Sequence, residues 1–335
     1  MAFVLCLPSS ETTVLICKNR LKRIERTKQS SETLRLAGDA AIAATTNAEG
    51  TQLAVAFDNK TLEIWNTTEW TRVSARETSK RAMALKFHGG NLYVADKSGD
   101  VYRFSVGDSE HSGELILGHV SILLDLEVSP DGKYVISADR DEKLRVSHLP
   151  NAYSIKSFCL GHTKCVSQVK IHRLKPAFAL SGSGDGFLGV WRYETGENCS
   201  MTSVLAESKE AVTTIACSSV SDLVAVSLNR HASVFLYDFC SRSNSLRRRG
   251  VAAVSAEVLH VAFDSSDKLW VLTANQKQPI AIIEYANEEI KLVATENYFG
   301  NLDVTVQDST FFEDRPAIRN WNLLKKASAR EESDV

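Results

Sequence analysis

A pair of short β-strand patterns recurs along most of this chain, and the repeat constrains the fold more than any other feature. A marker position at the end of each second strand falls at residues 65, 104, 147, 191, 237 and 285, at intervals of 39 to 48 residues. Asn, Asp, Gly and Ser separate the patterns, as in strand–turn–strand units. Repeats of this length with several strands each are typical of propeller blades. One four-stranded blade cannot bury both faces alone, whereas a closed ring of blades can.

The repeat predicts an all-β, seven-bladed β-propeller over residues 1–309. Strand-like runs at AFVLCL and TTVLIC supply one blade at the start of the chain, and its closure by the other end of the chain is a hypothesis. Residues 310–335 change character, and the helical spacing of Ile318, Trp321 and Leu324 predicts a short helix and a polar tail as a C-terminal extension. The expected blades lie near residues 1–36, 38–75, 81–112, 118–157, 161–205, 210–247 and 251–295.

Composition narrows the class of protein. The net charge is -2 and the pI about 6.5, so a globally basic, nucleic-acid-binding surface is absent. No stretch approaches the roughly 18 apolar residues of a membrane helix, so we expect no membrane association. Seven scattered cysteines without a C-x-x-C pair are typical of reduced thiols in an intracellular protein, with zinc binding as the weaker alternative. These observations leave the cytosol and the nucleus open as compartments, and of the two we expect the nucleus, with the cytoplasm as the second.

Two repeats carry a sharper signature, because Gly118-His119 and Gly161-His162 each precede an apolar strand, a turn and a strand pair. This pattern resembles the WD-repeat family, in which His, Ser or Thr, Asp and Trp form a buried hydrogen-bond network. Each polar group of such a set can pair with the next, so none is stranded. The expected members are His162, Ser181 (or Ser183), Asp185 and Trp191 in one repeat, and His119 and Asp141 in the repeat before it.

Catalytic motifs are not found. Residues 184–189 match G-x-G-x-x-G, but the residues that follow form a strand pattern rather than the helix that a dinucleotide site requires. No H-E-x-x-H, Walker A or G-x-S-x-G motif occurs. We therefore expect a chain that is not an enzyme and holds no metal and no cofactor.

Two charged segments are candidates for binding. Residues 139–143, DRDEK, fill a turn where a plain hairpin needs only Asp-Gly, and they are interpreted either as a solvated turn or as a charge-paired docking edge. The second segment is basic and is interpreted as a solvated loop or as an RNA contact, since clustered Lys and Arg neutralise phosphates. Its candidate RNA contacts are Lys18, Arg20, Lys22 and Arg23.

The stretch from Gly118 to Ser167, with ADRDEK-x-R-V-S followed by S-F-C-L-G-H-T, resembles the WD-repeat subunit of the tRNA (guanine-N7-)-methyltransferase. The clear likeness covers about 80 residues, through SGSGDGFLGVW. The resemblance implies a non-catalytic subunit that binds and stabilises a separate catalytic subunit in a heterodimer. S-adenosylmethionine and most of the tRNA contacts are expected on that partner, which forms 7-methylguanosine in the tRNA variable loop. Carried over, the partner-interface candidates are Arg140, Glu142, Lys143, Arg145 and Lys164.

Two other classes of function remain open at this stage. A general WD-repeat scaffold, such as a substrate receptor for a ubiquitin ligase or a chromatin adaptor, fits any propeller. A propeller enzyme with a site in the central channel requires acidic or histidine residues that converge at one end of several inner strands, and no such set is recognised in the sequence.

Overall fold

The computed structural model describes residues 1–293 except 9, 26–29, 109–111, 207–209, 276 and 287–288, so the predicted C-terminal extension lies outside the described residues. Within that part the chain is built from β-strands with no helix, as predicted, and so has no helix able to cross a membrane. The strands are β1 (Ala2–Cys6), β2 (Thr12–Cys17), β3 (Arg20–Glu25), β4 (Ser30–Arg35), β5 (Ala41–Thr46), β6 (Gln52–Phe57), β7 (Thr61–Asn66), β8 (Thr71–Glu77), β9 (Ala82–His88), β10 (Asn91–Asp96), β11 (Asp100–Ser105), β12 (Glu114–Gly118), β13 (Leu123–Val128), β14 (Tyr134–Asp139), β15 (Lys143–His148), β16 (Ile155–Leu160), β17 (Val166–Ile171), β18 (Phe178–Ser183), β19 (Phe187–Arg192), β20 (Glu197–Ser203), β21 (Val212–Cys217), β22 (Leu223–Leu228), β23 (Ser233–Cys240), β24 (Ser245–Ala253), β25 (Val258–Phe263), β26 (Leu269–Thr273), β27 (Ile280–Ala286) and β28 (Glu289–Val293).

These strands form seven antiparallel sheets, and each sheet consists of four strands that are consecutive in the chain. We number the sheets blades 1 to 7 in chain order. The first strands of successive blades contact one another around the ring, and β1 contacts both β5 and β25. A closed ring of seven blades is therefore the observed architecture, and the predicted seven-bladed propeller is confirmed.

Ring closure differs from the sequence-based hypothesis. All four strands of blade 1 come from the N-terminal part of the chain, and within the described residues no strand from the other end joins that sheet. Instead, Val4 and Ile24 of blade 1 are buried in one apolar cluster with Trp270, Leu272 and Ile282 of blade 7. In the part of the chain that the structure describes, packing of side chains between blades 1 and 7 closes the ring.

The topology gives the ring two distinct faces. Because every blade has four antiparallel strands, the chain enters each blade at the same end of the ring. We call that end the entry face; it carries the turns between second and third strands, such as residues 140–142, and the connections between blades, such as residues 119–122. The opposite face carries the remaining turns, such as residues 129–133 and 149–154.

Candidate functional site

Blade 5 contains a complete buried hydrogen-bond network. His162 lies with Nδ1 3.0 Å from Asp185 Oδ2 and Nε2 2.7 Å from Ser181 Oγ. The indole nitrogen of Trp191 lies 2.7 Å from the same Ser181 oxygen. The neighbouring Ser183 instead donates to the carbonyl oxygen of Lys164, 3.0 Å away. The structure therefore brings Ser181, rather than Ser183, together with the histidine, the aspartate and the tryptophan.

The chemistry of these groups fixes the direction of each bond. A carboxylate only accepts, so His162 Nδ1 carries a proton and donates it to Asp185. An indole only donates, so Ser181 accepts from Trp191 and gives its own proton to His162 Nε2. Burial is the largest influence on the pKa of Asp185 and raises it, but the hydrogen bonds from His162 and from the backbone N–H groups of Thr163 and Phe187 together hold that pKa below its usual value. The network joins the entry connection to the second and third strands of the blade.

Blade 4 has a related network with a different carboxylate. His119 Nε2 lies 2.8 Å from Ser137 Oγ, and His119 Nδ1 lies 3.3 Å from Asp139 Oδ2. Asp139 is fully buried, whereas Asp141 is exposed and its carboxylate lies 3.6 Å from Arg140 Nε. The assignment of Asp141 to the network is therefore corrected. Asp139 is the last residue of β14 and Asp141 follows it by two positions in the turn. The carboxylate of Asp139 is the one that contacts His119.

Lys143 is tied to this corrected network. Its backbone N–H donates to Asp139 Oδ1 at 3.3 Å, and its ammonium group lies 3.3 Å from Asp139 Oδ2. Burial raises the pKa of Asp139, but the hydrogen bond from His119 and the positive charge of Lys143 together lower it below the ordinary value. About a third of the Lys143 side chain stays exposed, at the residue where β15 begins on the entry face.

Arg145 is engaged within its own chain. Its Nε donates to Ser147 Oγ at 2.9 Å, and its two terminal nitrogens donate to the carbonyl oxygens of Gly118 at 3.0 Å and Ala152 at 3.2 Å. Ser147 occupies the place that Trp191 holds in blade 5. Arg145 thus supplies polar contacts where this blade lacks the tryptophan. Its guanidinium is held by hydrogen bonds within the chain, so its first role is structural.

The remaining docking candidates lie on the entry face. Arg140 is half-exposed at the mouth of the central channel. Glu142 is exposed in the β14–β15 turn with a left-handed φ of +73°, and Gly186 at the equivalent turn of blade 5 has a similar φ of +83°. Lys164 is exposed on the connection that enters blade 5. Together with Lys143, these side chains form a mixed-charge rim over blades 4 and 5.

An exposed apolar strip, which sequence reasoning missed, borders this rim. In the ladder between β15 and β16, Leu160 is opposite Lys143 and Phe158 is opposite Arg145. Opposite residues in a ladder point to the same face of the sheet, so both apolar side chains share a face with the two cations. Leu160 is 62% exposed, Phe158 is 40% exposed, and Val120 on the entry connection is fully exposed. The sequence signal that could have predicted this strip is the set of apolar residues in β16, the outer strand of the blade.

The candidate RNA contacts differ in exposure and in the ion pairs they form. Arg23 pairs with Glu25 at 3.2 Å and Glu32 at 3.0 Å, and it stacks over Trp70. Arg20 is exposed and lies opposite Arg35, which is also exposed. Two guanidinium groups therefore project from the same face of blade 1.

Lys18 lies in the entry-face turn between β2 and β3, and Lys22 is half-buried on β3.

Among the residues described, no group of three or more His, Cys, Asp or Glu side chains is arranged to hold a metal ion.

The fold and the His–Ser–Asp–Trp network define the class of protein as a WD-repeat propeller. Solved structures of that class are similar at the level of fold. The RRP9 WD40 repeats superpose with a TM-score of 0.71 at 16% identity over 87% of this chain and 94% of that chain. A chain of the Mitotic Checkpoint Complex superposes with a TM-score of 0.72 at 15% identity, over 82% and 87% of the two chains.

Sequence comparison is more specific. Residues 107–293 match the family described as the tRNA methyltransferase TRM82 WD40 domain. Relatives named tRNA (guanine-N(7)-)-methyltransferase non-catalytic subunit WDR4 are 37% identical in Danio rerio and 36% identical in Homo sapiens, over 77% and 79% of this chain. The chain spans about two thirds of the length of these curated relatives, 66% and 67%. The chain belongs to this family, and the relatives' names support a non-catalytic role.

Proposed function

We propose that this chain is the non-catalytic subunit of a tRNA (guanine-N7-)-methyltransferase, and that it binds and stabilises a separate catalytic subunit. The catalytic subunit would hold S-adenosylmethionine and most of the tRNA, and it would form 7-methylguanosine in the variable loop. The observation that carries the proposal is the family match, because the names of the relatives imply a catalytic partner.

The surface of blade 4 fits such a partner. Eleven large apolar side chains of the described residues are strongly exposed, and five of them belong to this blade and its entry connection: Val120, Tyr153, Ile155, Phe158 and Leu160. Tyr153 lies in the turn on the opposite face, so the apolar strip next to the charged rim consists of Val120, Phe158 and Leu160. Exposed apolar patches rimmed by polar residues mark protein interaction sites. The charged rim of Arg140, Glu142, Lys143 and Lys164 would set the orientation of docking, while the apolar strip would supply buried contact area.

The contribution to catalysis would be indirect. A partner that binds only the active conformation of an enzyme stabilises that conformation by mass action. The entry face also carries Lys18, so a tRNA held by the catalytic subunit over this face could extend onto blade 1, where Arg20 and Arg35 project together. Such contacts would be electrostatic and would weaken as salt concentration rises.

Reconstitution tests the proposal. The full chain would be co-expressed with the catalytic tRNA (guanine-N7-)-methyltransferase subunit of the same organism. A 1:1 complex on gel filtration, and faster methyl transfer to tRNA by the complex than by either chain alone, are the expected results. Failure to form a complex, or methyl transfer by this chain alone, would contradict the proposal.

A further inference from the structure

The central channel of the ring forms a cavity in the described part of the molecule. Its volume is about 1380 Å³, and residues from the inner strands of all seven blades line it. Ligand pockets in proteins typically measure about 300–1,000 Å³, so the channel is large enough for a small molecule. The proposed docking of a catalytic subunit makes no use of this space.

A chain of charged side chains crosses one wall of the channel. Glu127 on β13 pairs with Lys86 on β9, and its other carboxylate oxygen lies 3.7 Å from Lys170 Nζ on β17. Lys170 Nζ also lies 3.2 Å from Asp125 Oδ2, which accepts a hydrogen bond from the Val169 N–H at 3.0 Å. These charges therefore join the inner strands of blades 3, 4 and 5.

The two lysines and the two carboxylates balance one another. Burial raises the pKa of Glu127, but Lys86 and Lys170 outweigh it and lower that pKa, which favours the ionised carboxylate. Burial opposes the charge on Lys170, but Asp125 and Glu127 raise its pKa above the ordinary value. Both carboxylates of this cluster are therefore already paired with a lysine, and neither neutralises a further cation.

A third cation, Arg173, lies beside this cluster. It follows β17 by two residues, at the mouth of the channel on the opposite face, and it is exposed. Arg173 forms no ion pair with any of the residues described. Its charge nevertheless reaches the cluster: burial lowers the pKa of Lys86, and the positive charge of Arg173 lowers it further. Around this cluster three cations, Lys86, Lys170 and Arg173, face two carboxylates, while Glu49 of blade 2 lines the cavity on another wall. A guanidinium matches carboxylate and phosphate groups with two parallel hydrogen bonds.

The rest of the channel lining is largely apolar on the facing blades. Leu259 and Ala262 of blade 7, Ala216 of blade 6 and Leu5 of blade 1 line the same cavity. We propose that the central channel binds a small molecule with a carboxylate or phosphate group, held by Arg173 at the mouth with Lys86 and Lys170 behind it. The compact apolar part of the ligand lies against the facing wall. The site is on the face opposite the β14–β15 turn, so it is independent of partner docking.

Calorimetric titration of the full chain with inorganic phosphate and, separately, with succinate tests this site. Ionic strength is held constant with KCl, because screening alone weakens exposed charge interactions. The key variant is Arg173→Gln, which changes an exposed side chain and should fold normally. Arg242→Gln is the matched control, since Arg242 is also exposed on the opposite face but does not line the channel. Urea unfolding of both variants verifies that they are folded.

Saturable binding of phosphate, succinate or both to the wild type supports the proposal, and the preferred probe identifies the acidic group. Arg173→Gln should weaken that binding at least about tenfold, as expected for loss of a charge-assisted hydrogen bond, while Arg242→Gln leaves it unchanged. Absence of saturable binding of both probes would overturn the proposal. Equal weakening by both variants would do the same, because it would indicate non-specific attraction.

Discussion

Nη1 of Arg145 donates a hydrogen bond across 3.0 Å to the carbonyl oxygen of Gly118, and this bond joins the third strand of blade 4 to the last strand of blade 3. The same guanidinium also bonds Ser147 and Ala152. Planar guanidinium groups can satisfy several acceptors at fixed angles, which an ammonium group cannot reproduce. Arg145 therefore connects two blades and also ties its own strand to the turn that follows it.

Replacement of Arg145 should affect folding stability. Arg145→Leu leaves a buried serine hydroxyl and two carbonyl oxygens without these donors, and it is expected to lower the free energy of unfolding by about 1–3 kcal/mol. Urea denaturation measures this change, and Arg242→Leu, at an exposed turn, should stay within about 0.5 kcal/mol of wild type. Unchanged stability together with lost partner affinity would instead assign Arg145 to docking alone.

The two histidine networks should differ in sensitivity to serine removal. Ser181→Ala strands both His162 and the Trp191 indole, whereas Ser137→Ala strands His119 but no indole. At about 1–3 kcal/mol for each stranded buried group, the blade 5 variant is expected to lose roughly twice as much stability. Thermal and urea unfolding of the two variants would show the difference. A larger loss for Ser137→Ala would contradict the assigned bonds.

Acid stability should depend on Asp139. Because its folded-state pKa is below the ordinary value, Asp139 contributes stability above about pH 4 that is lost as pH falls through the folded pKa. Asp139→Asn should lower the free energy of unfolding at pH 7 and flatten its decline in acid. Asp141→Asn is the control and should follow the wild-type curve of unfolding free energy against pH. The reverse pattern would restore Asp141 to the network.

The apolar strip should contribute to partner affinity. Leu160→Asp places a charge in the proposed contact area and is expected to weaken binding of the catalytic subunit about tenfold or more. Val220→Asp is a matched control, because Val220 is 57% exposed, close to Leu160, but lies on the opposite face of blade 6. Calorimetry with the purified catalytic subunit compares them. Equal affinities of the two variants would remove the strip from the interface.

The repeat spacing was sufficient to predict the propeller, because few other folds repeat a strand pattern every 39 to 48 residues. The identity of the buried carboxylate was not predictable in the same way. Counting from the turn places Asp141 beside Asp185, yet Asp139 reaches the histidine, and both positions hold aspartate. Only side-chain geometry separates them.

In blades 2 and 7 a buried tryptophan donates its indole hydrogen bond to a carboxylate, which alignment to one repeat does not reveal. The Trp65 indole donates to the buried Glu63 at 2.9 Å, and the Trp270 indole donates to Asp264 at 2.9 Å. A buried indole requires an acceptor but not a particular one. The channel cluster was missed for a related reason: its charges come from three repeats, and only the ring brings them together.

The measurement that most directly tests the account is the affinity of the catalytic subunit for Glu142→Lys and Glu69→Lys. Both glutamates are exposed in turns, but Glu142 is on the entry face of blade 4 and Glu69 is on the opposite face of blade 2. The account predicts about tenfold weaker binding for Glu142→Lys, since like charges at an interface are costly, and wild-type binding for Glu69→Lys. Wild-type affinity in both variants would contradict docking at the β14–β15 turn.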